Sequence, residues 1–316
     1  MGKSFEQYYH QQLFPVLQRL EAKRKHNKKI TLRALLVIGL VFVVISSLIA
    51  LDIGVLAAVI TSIPVAFYSF FKVKPIKATF KNEVVANIVK YIDESLEYNP
   101  SGYIARGHFS RSLLFRNKID RYKGDDFVKG EIGKTDIEFS EIHAEYKTTT
   151  RTKNGGTQTT WHTLFKGFFI IADFHKNFEY KTLIVPNNMP SFMGVVGRKL
   201  KKWSAPIGQI VKLEDVEFAK YFVVYSEDQV EARYLISTAM MQRILNYRKK
   251  WDKPIHVSLI NSKLFMAIST NKNFFEPTTF KSLLGIENYQ EMLEYMNLII
   301  DLVEDLNLNT RIWTKE

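Results

Sequence analysis

Two uncharged runs dominate the pattern of hydrophobic and polar positions. Ala34 to Leu51 holds eighteen residues without a charge and Ile53 to Phe71 nineteen, with Asp52 alone between them. At about 1.5 Å per helical residue each covers roughly 27 Å, close to the hydrocarbon thickness of a bilayer. Neither shows the polar stripe of a core helix, so the pattern predicts a two-helix transmembrane hairpin turning at Asp52 and Gly54. Ahead of it, Phe5, Tyr8, Tyr9, Leu13, Val16, Leu17 and Leu20 recur at helical spacing, which predicts an amphipathic N-terminal helix kinked at Pro15. Three regions follow: a basic amphipathic N-terminal helix over 1–33, the transmembrane hairpin over 34–71, and a cytoplasmic domain over 72–316.

In that last region Phe80, Val84, Ile88, Val89, Ile92 and Leu96 predict a helix, closed by Asn99-Pro100-Ser101-Gly102. The period then changes to two. Ile137 and Phe139, then Ile142, Ala144 and Tyr146, form a strand with a one-residue slip near Glu141 that resembles a β-bulge. A turn over Arg151 to Thr157 leads into a returning strand, Thr159 to Phe174, apolar on both faces and therefore central. Further strands are expected at Tyr180–Val185, Phe218–Tyr225, Ile255–Ile260 and Lys263–Ser269. Further helices are expected at Phe192–Trp203, after a Ser226/Gln229 capping box, and over Tyr289–Leu306. Strands and helices mix without a βαβ rhythm, which makes the body α+β with a mainly antiparallel sheet.

Charge refines the topology. The net charge of +12 divides as +6 over residues 1–33, −1 over 34–71 and +7 over the rest. Basic residues flank both runs and none lies at the turn, so both termini are expected on the cytoplasmic side of a cell membrane. Anionic headgroups account for these clusters better than nucleic acid, which is not expected as a partner. The basic helix Phe192–Trp203 offers Arg198, Lys199, Lys201, Lys202 and Trp203 as a second lipid contact. The turn of the central hairpin, with Arg151, Lys153 and Trp161, is the expected contact for a protein partner.

Candidate chemistry is sparse. The 316 residues include no Cys, which excludes disulfides, thiolate metal sites and cysteine nucleophiles. Neither a Gly-x-Ser-x-Gly elbow nor a phosphate-binding loop occurs. Glu141, His143, Glu145, His162, Asp173 and His175 gather on the central hairpin, and alternation could bring several to one face as ligands of a divalent metal. No cofactor is expected. The pattern favours a membrane-anchored binding or scaffold protein without enzymatic activity. The alternatives are a metal-assisted hydrolase using His143, Glu145, His162, Asp173 and His175, or a transport accessory subunit.

Several motifs resemble one family. They are Tyr122-Lys123-Gly124-Asp125-Asp126, Ile137-Glu138-Phe139-Ser140-Glu141, Trp161-His162-x-x-Phe165-Lys166-Gly167, Ala172-Asp173-Phe174 and Tyr225-Ser226-x-Asp228-x-x-Glu231-Ala232-Arg233-Tyr234. Together they are similar to the bacterial membrane-protein family known as domain of unknown function 3137. The resemblance implies a two-span bacterial protein of the inner membrane. It also implies a LemA-type membrane protein as partner; the lipid bilayer itself and a second copy of the chain are the other expected partners.

Overall fold

The computed structural model describes residues 4–48, 75–151, 156–173, 177–187, 207–277 and 281–313. They divide into two units, Met1–Ile88 with Phe274–Leu293, and Val89–Asn273 with Glu294–Glu316.

The first unit is helical. Helix α1 (Phe5–Tyr8), capped by Ser4, passes into a π-helical stretch, Tyr9–Leu13, and then into α2 (Phe14–Leu48). Pro15 explains the stretch. It has no N–H, and its ring crowds the carbonyl four residues back, so the helix widens just before it and the Phe14 N–H donates to Tyr9 O. Residues 75–79 lead into a second π-helical stretch, Phe80–Val85, followed by α3 (Ala86–Ile92). Tyr9, Leu13, Leu17 and Leu20 are buried as their spacing requires, as are Phe80, Val84 and Ile88. The Tyr9 hydroxyl donates to Leu284 O at 2.8 Å, and its ring lies 5.9 Å from that of Tyr289.

Glu21 anchors this unit. Its side chain is 3% exposed and accepts two 2.8 Å hydrogen bonds from Arg24 and one of 3.1 Å from the Leu283 N–H. Arg24, the Leu283 N–H and Lys25 together outweigh desolvation and hold the Glu21 carboxyl at about 2.

The transmembrane hairpin is corrected by the structure. Among the described residues no helix is long and apolar enough to cross a membrane. The described part of the first run, 34–48, belongs to α2. Leu36, Val37 and Leu40 on it are 69%, 62% and 67% exposed. The second run, 53–71, and the turn at Asp52 lie outside the described residues, as do the basic helix Phe192–Trp203 with Arg198, Lys199, Lys201, Lys202 and Trp203, and also Lys153 and His175. The two-span topology and the membrane location deduced from it lose their basis.

Among the described residues, the second unit is built on a nine-stranded antiparallel sheet. In chain order its elements are β1 (Glu97–Asn99), α4 (Arg106–Arg111), β2 (Arg121–Ile132), β3 (Thr135–Arg151), β4 (Thr157–Asp173), β5 (Thr182–Pro186), β6 (Gln209–Val211), α5 (Val216–Tyr221), β7 (Phe222–Ser226), α6 (Gln229–Leu235), α7 (Thr238–Trp251), β8 (Ile255–Ile260), β9 (Lys263–Ser269) and α8 (Ile286–Trp313), the last shared with the first unit. The strand order is β1-β2-β3-β4-β9-β8-β5-β7-β6. An α+β body with a mainly antiparallel sheet is therefore what the chain forms. The returning strand β4 is central, with Phe168 to Ala172 buried on both faces. One face packs Ile142, Phe169, Ile171, Phe265 and Ala267 against Phe109, Leu114 and Ile119 of the segment around α4. On the other, Phe168 meets Tyr295 of α8, whose ring lies 4.2 Å from Trp251 of α7.

Local expectations fail where a polar side chain redirects the backbone. Phe218–Tyr225 is not one strand, because the Asp215 carboxylate accepts the Phe218 N–H at 2.9 Å and starts α5 ahead of β7. Asp228, rather than Ser226, caps α6 by accepting the Glu231 N–H at 2.7 Å. Ser237 then caps α7 and divides the expected single helix in two.

Two predictions follow from the buried ionisable groups. Glu21→Ala removes the carboxylate that pairs with the half-buried Arg24 guanidinium and should cost about 1–3 kcal/mol in denaturant unfolding. Because its folded value is depressed, the stabilisation from Glu21 is present above pH 4.5 and is lost as pH falls towards 2. His256 behaves similarly on a different scale. Burial beside Phe115 holds its imidazole at about 4, so it folds neutral, and its contribution should fade as pH drops from 6.5 through 4. Stability measured across that window should flatten in His256→Leu.

Candidate functional site

A register shift between Asp125 and Val128 interrupts the β2–β3 ladder, with Asp126 and Phe127 opposite Ser140 alone. The bulge expected in β3 near Glu141 thus lies in the facing strand, and β3 itself pairs with β4 without interruption from Ile137 to Ala144. Asp126 takes a left-handed backbone (φ 57°), which a short polar side chain tolerates, and is fully buried. The Tyr98 hydroxyl donates to its carboxylate, and burial followed by that charge pushes the Tyr98 phenol far above its ordinary value. Carboxylate oxygens of Asp125, Asp126 and Glu141 all come within 4.8 Å of one another. Gly124 permits the approach, since a Cβ there would lie 2.6 Å from both Glu141 O and the Tyr103 Cβ. An all-oxygen set of this kind suits a hard cation such as Mg²⁺ or Ca²⁺, and not the imidazole chemistry of a zinc hydrolase.

The residues singled out in the sequence are dispersed. His143 and Glu145 share a face, with Nε2 and Oε1 3.9 Å apart, but His143 also approaches the Thr163 hydroxyl at 3.4 Å, and Glu145 lies 3.7 Å from Arg121. On the opposite face, His162 stacks on Tyr146 and sits 2.8 Å from the Thr148 hydroxyl. Asp173, at the far end of β4, pairs with Lys263 at 3.1 Å. Among the described residues the carboxylates that converge are Asp125, Asp126 and Glu141, of which only Glu141 stands out from the alternation of the hairpin. The signal for the other two was the Gly-Asp-Asp break in the β2 pattern.

A second feature is larger. Beyond Arg121↔Glu145 the strand β2 stops, and beyond Gly167↔Ser269 so does β9, while β3 and β4 continue together to Arg151↔Thr157. An extra residue, Leu164, lies opposite the Ala144–Glu145 step, where the ribbon leaves the sheet. Past it the strands are exposed on both faces. One face carries Arg121 and Lys123 of β2, His143, Glu145, Lys147, Thr149 and Arg151 of β3, and Lys166, Thr163, Trp161, Thr159 and Thr157 of β4. Five cations there accompany Glu145, and the next row of the same face, towards the sheet, carries Asp125 and Glu141. The Arg121 guanidinium sits 3.5 Å above the ring of Trp161, which stays 36% exposed.

Residues 163–308 match the family described as a protein of unknown function (DUF3137). That match supports the family resemblance carried by the motifs, and it assigns no activity. No curated protein matches the chain. Among solved structures, the mycobacterial trehalose monomycolate transport factor A, TtfA, is similar at 8% identity and a TM-score of 0.31, over 69% of this chain and 92% of that one. A likeness at this level informs neither fold nor function.

The Tyr98–Asp126 hydrogen bond is open to a direct test. Tyr98→Phe removes the donor from a buried carboxylate and should lower stability by about 1–3 kcal/mol in denaturant unfolding.

Proposed function

We propose that this chain is a binding or scaffold protein without catalytic activity, and that its contact element is the projecting β3–β4 ribbon. The observation that carries the reading is the clamped but exposed Trp161 on a basic, Thr-rich face that extends past every neighbouring strand. Trp and Arg are the side chains most enriched at the energetic centres of interfaces. A ribbon standing clear of the sheet can meet a partner without rearranging the core. The hydrolase alternative needs His143, Glu145, His162 and Asp173 to converge, and their separation over two faces and both ends of β4 speaks against it.

The test is crosslinking in native cells with the full chain. Shortening the turn between Arg151 and Thr157 should leave the fold intact, because loop length changes stability slowly. Trp161→Ala together with Arg151→Ala should deplete the crosslinked partners at least tenfold while thermal unfolding stays unchanged. An unaltered partner set would move the contact surface off the ribbon.

A further inference from the structure

The two long edges of the ribbon differ. The β3 edge is closed where β2 ends, since the Asp120 carboxylate accepts the Lys147 N–H at 2.9 Å and the Asp120 N–H donates to Glu145 O at 2.8 Å. Among the described residues the β4 edge is open. Its ladder with β9 begins at Gly167, and a last bond from the Thr270 N–H reaches Lys166 O at 3.0 Å. From Thr157 to Phe165 no strand pairs with that edge among the described residues. Proteins ordinarily defend such an edge with charge, Pro or a covering element. Here the nine residues Thr-Gln-Thr-Thr-Trp-His-Thr-Leu-Phe contain neither charge nor Pro and are rich in strand-forming side chains.

We infer that the β4 edge from Thr157 to Phe165 is a docking site for an extended acidic segment of another protein, which adds to the sheet as a further strand. This rests on the ribbon being the contact element. An open main-chain edge is useful only to a polypeptide, because its unpaired N–H and C=O groups match another strand and neither a phosphate backbone nor a lipid headgroup. Acidic character follows from the face beside that edge. Lys123, Lys147, Arg151 and Lys166 have no ion-pair partner among the described residues, while Glu145 is engaged by Arg121. Side chains of an added strand would alternate, every second one lying over this face next to Thr159, Trp161 and Thr163 and within diagonal reach of Lys147. A second copy pairing antiparallel along the same edge would set two such basic faces side by side, which like-charge repulsion opposes.

The probe is a labelled nine-residue peptide alternating Glu and Thr, titrated into the full chain at low salt and followed by anisotropy. It should bind, lose affinity at least tenfold when every second residue on its pairing edge is N-methylated, and bind at least tenfold more weakly when Lys replaces Glu. Thr159→Pro and Thr160→Pro separate the two edges of β4, because adjacent residues direct their N–H groups to opposite sides. The variant that blocks the outer edge should abolish binding with thermal unfolding unchanged. Equal binding of methylated and unmodified peptides would overturn strand addition and leave the ribbon face as the contact. No binding at millimolar peptide would overturn it too, as would tighter binding of a single-stranded oligonucleotide or a concentration-dependent dimer lost in the same proline variant.

Discussion

The pairing of β3 with β4 is the constraint on which the second unit depends. It holds one register from Ile137↔Ala172 to Ala144↔Phe165 and, past the extra Leu164, a second from Glu145↔Thr163 to Arg151↔Thr157, and because side chains alternate, the first decides which residues enter each layer. Phe169 and Ile171 go to the cluster around Phe109, and Phe168 goes to Tyr295. A slip by one residue would exchange the two sets and put Glu141 and Ser140 in each other's places. Gly167 protects this register at the point where a third strand joins. Its φ of 148° and the 2.0 Å that would separate a Cβ from Ile268 O leave room for no other residue.

The same pairing creates both candidate surfaces. Where neighbours cover the hairpin, the bulge in β2 presses three carboxylates together and the Tyr98 hydroxyl supports one of them. Where the neighbours stop, the polar remainder of the hairpin stands in solvent with its cations on one side. The buried part favours an ordered, rigid platform, and the exposed part inherits that rigidity through continuous pairing. A contact element held in this way loses little conformational freedom on binding.

The sequence made the sheet legible wherever alternation was strong. The β3–β4 and β8–β9 hairpins lie within two residues of where the pattern put them, and the double-sided apolar run of β4 marked it as central. Boundaries set by one polar side chain were not legible, because Asp215, Asp228 and Ser237 act through backbone capping that the hydrophobic period does not record. The slip near Glu141 was real in the pattern but belonged to the opposite strand, since a carboxylate on a buried face mimics a change of phase. The apolar run after Arg33 promised a membrane span on length and composition alone, yet no helix among the described residues is long and apolar enough to cross a membrane. Of the site residues, His143 and Glu145 share one face, which alternation alone had left open, and His162 falls on the other because Leu164 adds a residue to β4 two positions after it.

Amide hydrogen exchange along β4 in the full chain tests the account most directly. The ribbon requires alternation from Thr157 to Phe165. Amides directed at β3 should be protected, amides between them should exchange near the rate of an open chain, and protection should become continuous from Gly167 onward, where β9 pairs on the other side. Uniform protection over Thr157 to Phe165 would mean that the edge is already covered, and uniform fast exchange that the ribbon does not form. Either result would contradict a rigid hairpin that offers one open edge.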